Sequence, residues 1–134
     1  MTETKALLHQ YYEAFNRQDN VQMLACLSDS IVHEVSQGET RNGKEKFWEF
    51  LEHMHNCYHE QLSEIVLMIS DDGSRAAAEF NLHGKYLKTD AGLPEAEGQE
   101  YQLRVGTFFE IAEGKIARVS THYNLNDWTK QVVG

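Results

Sequence analysis

The chain is poor in the residues that punctuate or cross-link a protein, and poor in positive charge. Proline occurs once in 134 residues, at Pro94, and no proline-rich, repeated or low-complexity tract interrupts the sequence. Cysteine occurs twice. Cys26 and Cys57 each fall in a stretch that reads as helix, and in a reducing compartment both are expected as buried free thiols rather than a disulfide. The absence of any long apolar run excludes a transmembrane helix. The opening Met1-Thr2-Glu3-Thr4-Lys5 has neither the basic start nor the apolar stretch of a signal peptide, so a cytoplasmic location is expected. Twelve Lys and Arg face 21 Asp and Glu, a net charge of −9. That charge repels nucleic acid and anionic membrane, and neither is expected as a partner.

What is present suffices for one core. A hydrophobic fraction of 41% over this length predicts a single domain spanning residues 1–134. Leu7, Leu8, Tyr11, Tyr12 and Phe15 collect on one face of a first helix. Asn16 to Asp19 break that rhythm, and Asp19 with Gln22 three residues on forms a capping-box pattern for a short second helix carrying Val21, Leu24 and Leu27. Residues 31–36 read as a short strand and residues 38–43 as a polar loop. Asn42 and Glu45 mark the start of a third helix whose seam is Phe47, Leu51, Met54 and Tyr58.

From Leu62 the pattern changes to strands. Residues 62–70 and 75–89 flank Asp71-Asp72-Gly73-Ser74, a hairpin turn by composition. An acidic loop at 90–98 leads to a second hairpin, 99–111 and 115–124, and Asn126 or Asp127 caps a last helical turn bearing Trp128. Three helices followed by four antiparallel strands predict an α+β fold. Long strands joined by tight turns coil, and helices on the concave face then enclose a cone suited to an apolar ligand.

Several local patterns carry a resemblance. Tyr11-Tyr12-Glu13-Ala14-Phe15-Asn16, Asp19, the stretch 29–34 and Arg41-Asn42-Gly43 resemble the ketosteroid-isomerase-like group of the cone-shaped α+β (NTF2-like) superfamily. Gly92-Leu93-Pro94, Gly98-Gln99, Phe108-Phe109-Glu110-Ile111, Gly114-Lys115-Ile116 and the ending from Tyr123 to Trp128 are similar to SnoaL-like members. The resemblance implies a cone of three helices on a strongly curved, mostly antiparallel sheet. It also implies a small-molecule pocket, a homodimer and no cofactor.

Carried over by position, Glu34 on the first strand is the proton-moving base and Tyr11 on the first helix the donor to an oxyanion. A carboxylate in an apolar cone is a stronger base through desolvation, and a phenol suits the donor role. The third position, where ketosteroid isomerases hold a protonated acid, is Gly106 here, which has no donor to offer. Arg104, two residues earlier on the same strand face, would replace it with a fixed charge and favour partly anionic ligands. Phe15, Trp48, Phe108 and Tyr123 are expected to line the pocket.

The strand from Ala76 alternates between an apolar set (Ala76, Ala78, Phe80, Leu82) and a polar set (Ala77, Glu79, Asn81, His83). Either set can face the cone, and the polar choice would make Glu79 a rival base. His53, His55 and His59 cluster, the last two at helical spacing, but without a third zinc ligand pattern they read as a solvated helix end, and no metal is expected. His33 should point away from Glu34. Leu103, Val105 and Phe109 are read onto the outer sheet face, away from Arg104 and Phe108, as the dimer surface. The resulting expectation is an isomerase moving a proton on an apolar carbonyl substrate. A SnoaL-like polyketide cyclase or lyase-type enzyme, or a non-catalytic binder of apolar ligands, is the alternative.

Overall fold

The computed structural model describes residues 2–35 and 38–134. Helices α1 (Thr2–Arg17) and α2 (Asn20–Ala25) precede strands β1 (Leu27–Val35) and β2 (Arg41–Asn42). Then come α3 (Lys44–Cys57), β3 (Tyr58–Ile69), β4 (Arg75–Tyr86), β5 (Glu100–Ala112), β6 (Lys115–His122) and α4 (Leu125–Val133). The strands form one six-stranded sheet in the order β2-β1-β6-β5-β4-β3. Only β1 and β6 are parallel; every other pair is antiparallel. Ser36, at the end of the predicted first strand, lies outside the described residues. Among those residues no helix is long and apolar enough to cross a membrane.

Local chemistry explains most of the boundaries. α1 buries Leu7, Leu8, Tyr11, Tyr12 and Ala14 along one stripe. The Asp19 carboxylate accepts the Gln22 backbone N–H at 3.0 Å, satisfying a donor that the first turn of α2 leaves unpaired. Between β3 and β4 the Asp72 carboxylate accepts from the Ser70 and Ser74 hydroxyls and the Ser74 backbone N–H. Thr4 of α1 donates to the carbonyl of Gly73 in that turn, tying helix to hairpin.

Several boundaries differ from expectation. α2 stops at Ala25, so Leu27 opens β1 instead of closing the second helix, Val21 is exposed rather than in a buried stripe, and β4 ends at Tyr86. The cap of α3 is Gly43 at φ 91, not Asn42, which pairs with Val32 of β1 instead. α3 ends at Cys57 rather than running through Tyr58. The Tyr58 ring stacks on Tyr86 across the sheet, 5.3 Å between centroids, and this packing recruits residues 58–61 into β3. The last helix is capped by Asn124, whose side chain accepts from the Asp127 N–H, and runs well beyond one turn.

The sheet coils around its concave side. A bulge between Ser63 and Val66, with Glu64 at φ 53, bends β3. Just before it, the Asn16 side chain donates to the Leu62 carbonyl and accepts the Leu62 N–H, covering part of the exposed sheet edge. The inner face carries Ala76, Ala78, Phe80, Leu82 and Tyr86 of β4 and Tyr101, Leu103, Val105, Thr107 and Phe109 of β5, all buried. The apolar set of β4 therefore faces the cone. Leu103, Val105 and Phe109 also face inward, contrary to their expected place on an outer dimer surface. The exposed apolar residues of these strands are Val66, Met68 and Phe108.

Candidate functional site

The concave face, closed over by α1, α3 and α4, bounds a cavity of about 500 Å³, a size typical of small-molecule sites. Its walls are mostly apolar, with polar groups gathered towards two strand edges.

At the β3 edge stands Glu60. It pairs in register with Gly84 of β4, and Gly84 pairs with Tyr101 of β5. The Tyr101 ring lies across Gly84, and its hydroxyl donates to the Glu60 carboxylate at 2.6 Å. Gly84 makes this reach possible: a Cβ there would fall 2.3 Å from the Tyr101 ring carbon Cζ. Burial pushes the Glu60 carboxyl up to about 7, with the Tyr101 hydrogen bond pulling partly the other way. Trp128 of α4 meets the Tyr101, Tyr86 and Tyr58 rings edge-on and holds this aromatic wall together.

Beside it, Asp90 organises the rim. Its carboxylate accepts from the Tyr58 hydroxyl at 2.7 Å and meets His53 Nε2 at 2.9 Å. Its backbone N–H donates to the Tyr86 hydroxyl, which donates onward to the Pro94 carbonyl. The loop after β4 is thereby pinned to the end of α3. Tyr123 lines the same region, its phenol pushed up by burial and by nearby Glu60 and Asp90.

At the β1 edge the inward side chain is His33, only 3% exposed and packed between Phe47 and Phe50 of α3. Burial and the Arg41 charge hold its imidazole down to about 4, so it is neutral at physiological pH.

Of the residues chosen from sequence, Tyr11, Phe15 and Tyr123 line the cavity. Tyr11 is buried against Tyr12 and Phe109, and desolvation raises its phenol so that it remains a donor. The other four lie elsewhere. Glu34 is on the convex face, its carboxylate 2.5 Å from Arg118 Nη2. Arg104 donates to Glu79 at 2.9 Å on that face, which also removes Glu79 as a rival base in the cone. Phe108 is 52% exposed beside His122. Trp48 borders a shallow surface depression with Arg17 and Val21. Gly106 also faces outward, and a Cβ there meets nothing within 4 Å. The missing acid is therefore no gap in the cavity. All these displacements on β1 and β5 are one choice of strand phase, which sends every second residue to the opposite face.

Glu60 was not among the candidates. Its sequence signal was Gly84, a glycine inside an otherwise strong strand, which marks close approach of another group.

The histidines separate: His53 meets Asp90, His55 lines the cavity, and His59 lies on β3 with its Nδ1 near Gln18 Nε2. Among the described residues, His53, Cys57 and Asp90 place one donor atom each within 4.8 Å of one another, a grouping that could hold a cation. Cys26 and Cys57 are both buried free thiols.

Residues 8–119 match the sequence profile of the SnoaL-like domain. Among solved structures, a provisionally named polyketide cyclase from Pseudomonas putida KT2440 is 54% identical, covers 98% of both chains and superposes with a TM-score of 0.95. A second of the same provisional name, from Silicibacter sp. TM1040, is 48% identical over 98% of this chain and 96% of that one, with a TM-score of 0.95. An NTF2-like protein of unknown function from Burkholderia pseudomallei K96243 covers both chains fully at 16% identity and a TM-score of 0.85, which shows the shared cone fold. Comparison with curated proteins finds no match.

Proposed function

Because this chain belongs to the SnoaL-like domain family, we propose that it is an acid–base enzyme that closes a ring in a small polycarbonyl molecule, with Glu60 as the proton-transferring group. The observation that carries this reading is the row Glu60–Gly84–Tyr101: a carboxyl inside a mostly apolar cavity, oriented by one phenol and pushed up to about 7. A base with that value is partly ionised at neutral pH yet strong enough to take a proton from carbon beside a carbonyl. The names of the similar proteins support the ring-closing outcome.

In this scheme Glu60 removes a proton from a carbon beside a carbonyl, and the C–H electrons move into an enolate. Tyr11 and Tyr123, kept as neutral phenols, donate to the developing oxygen charge. The enolate carbon then bonds to a second carbonyl of the same molecule, whose oxygen takes up the proton from Glu60. Atoms balance, and no oxidant is required. The isomerase expectation shares the first step and differs in the second, where the enolate is reprotonated at another carbon. The base in either case is Glu60, because Glu34 is engaged with Arg118 outside the cone.

The test follows an aryl-substituted acyclic 1,5-diketone in deuterium oxide. Deuterium should enter the α-carbon, and a ring-closed β-hydroxyketone, together with the enone it forms on loss of water, should accumulate, both faster than in buffer and both dependent on Glu60. Wild-type rates no faster than buffer, or a Glu60→Gln variant as fast as wild type, would sink the proposal. Exchange without ring closure would return the chemistry to isomerisation.

A further inference from the structure

The cavity has a second polar end, and its chemistry is opposite to that of the first. β1 and β3 lie near opposite edges of the sheet, so His33 and Arg41 approach the cone from the side away from Glu60. His33 lines the cavity, is 97% buried by its 3% exposure, and its Nδ1 has no hydrogen-bond partner among the described residues. Arg41, on β2, also lines the cavity and lies over the Phe50 ring at 4.7 Å.

The chain carries nine more negative than positive charges, and three of its other arginines show what that excess does. Arg17 pairs with Glu13 and Asp19, Arg104 with Glu79, and Arg118 with Glu34 and Glu110. Arg41 has no such carboxylate among the described residues; its Nη1 donates only to the Glu39 backbone carbonyl, at 3.3 Å. A guanidinium held on an aromatic face, beside a buried unpaired imidazole nitrogen, is a preformed receptor for an anionic oxygen. The Phe47 and Phe50 rings that flank His33 supply an apolar bed for the body attached to that oxygen.

We infer that the His33–Arg41 end binds a carboxylate or an acidic enol oxygen of the substrate, so that the ligand is an aromatic-sized apolar body with an anionic group at one end. This rests on the proposed function only in orienting the ligand, its anionic end at Arg41 and its reacting carbon towards Glu60. The carboxyl groups of Glu60 and Asp90 at the far end disfavour the reverse orientation.

Binding of 2-naphthoate and of its near-isosteric neutral ketone, 2-acetylnaphthalene, can be compared by calorimetry at low salt. The wild type should bind the carboxylate at least tenfold more tightly. Arg41→Gln should erase that preference while holding the ketone's affinity within about twofold, and Arg41→Lys should keep part of it. His33→Phe, which preserves the packing on Phe47 and Phe50, should weaken the carboxylate severalfold and the ketone little. Equal affinity for the two probes, binding of neither, or an unchanged preference in Arg41→Gln overturns the inference. Glu60→Gln should leave the preference intact, so loss of the base and loss of the anion receptor are read separately.

Discussion

Glu60 and Glu34 are the same residue type on strands near opposite edges of one sheet, yet they meet different surroundings. Glu34 stands on the convex side and finds a guanidinium, in a chain with acids to spare. Glu60 stands on the concave side, where the available partner is a phenol that has to cross a glycine to reach it. The convex carboxylate is matched by charge; the concave one is held by geometry in a medium that resists its ionisation. What a carboxylate can do in this protein is thus decided by its face of the sheet.

The strongest way to break this contrast is to neutralise each glutamate in turn. Glu60→Gln should lower the rate of deuterium exchange and ring closure by roughly 10²–10⁴-fold, the range for loss of a general base. Glu34→Gln should stay within about twofold in the same assay. Equal losses would mean that the face does not matter.

The glycines offer a parallel pair. Gly84→Ala drives a Cβ into the Tyr101 ring and should destabilise the fold by about 1–3 kcal/mol as that ring is displaced. Gly106→Ala on the open convex face should change stability by no more than about 0.5 kcal/mol. Urea unfolding of both variants measures the difference. Activity should fall with the first alone, because Tyr101 loses its grip on Glu60.

The pH dependence sharpens the comparison further. The Glu60 carboxyl is raised from an ordinary 4.5 to about 7, so the folded state binds this proton more tightly than the unfolded chain. Its contribution to stability is therefore complete below 4.5 and is lost as pH rises through about 7. Glu60→Gln should flatten the stability profile across that window. Tyr101→Phe removes a donor to the charged form and should move the pH midpoint of activity upward from about 7.

The smallest expected effect comes from the other end of the cavity. His33 is lowered from 6.5 to about 4, so its contribution is present above 6.5 and is lost as pH falls through about 4. His33→Phe should make the acid limb of the thermal-melting profile shallower. An unchanged limb would place the acid sensitivity elsewhere.

Much of the fold was legible because its causes are local. The α1 stripe from Leu7 to Phe15, the Asp19 cap and the turn around Asp72 and Gly73 each rest on neighbours a few residues apart. The fit failed where the cause was distant. Tyr58 reads as the end of a helical seam until Tyr86, far along the chain, offers it a stacking partner. Arg104 read as a pocket residue because the resemblance put Gly106 in the cone and Arg104 shares its face of β5, whereas the buried apolar phase is the other one, Tyr101, Leu103, Val105 and Phe109. In β1 a histidine took the interior place assigned to a glutamate, since neither residue is an obvious core choice.

By itself, then, the sequence determined a cone-shaped α+β fold of the SnoaL-like kind, an acidic surface and a cavity touched by Tyr11, Phe15 and Tyr123. Tertiary structure alone decided which alternate residues face the cavity, and that Glu60, Gly84 and Tyr101 stand in one row. The reason is the symmetry of an extended strand. Its two faces exchange on a shift of one residue, and where both can be buried, only packing against other strands and helices selects between them.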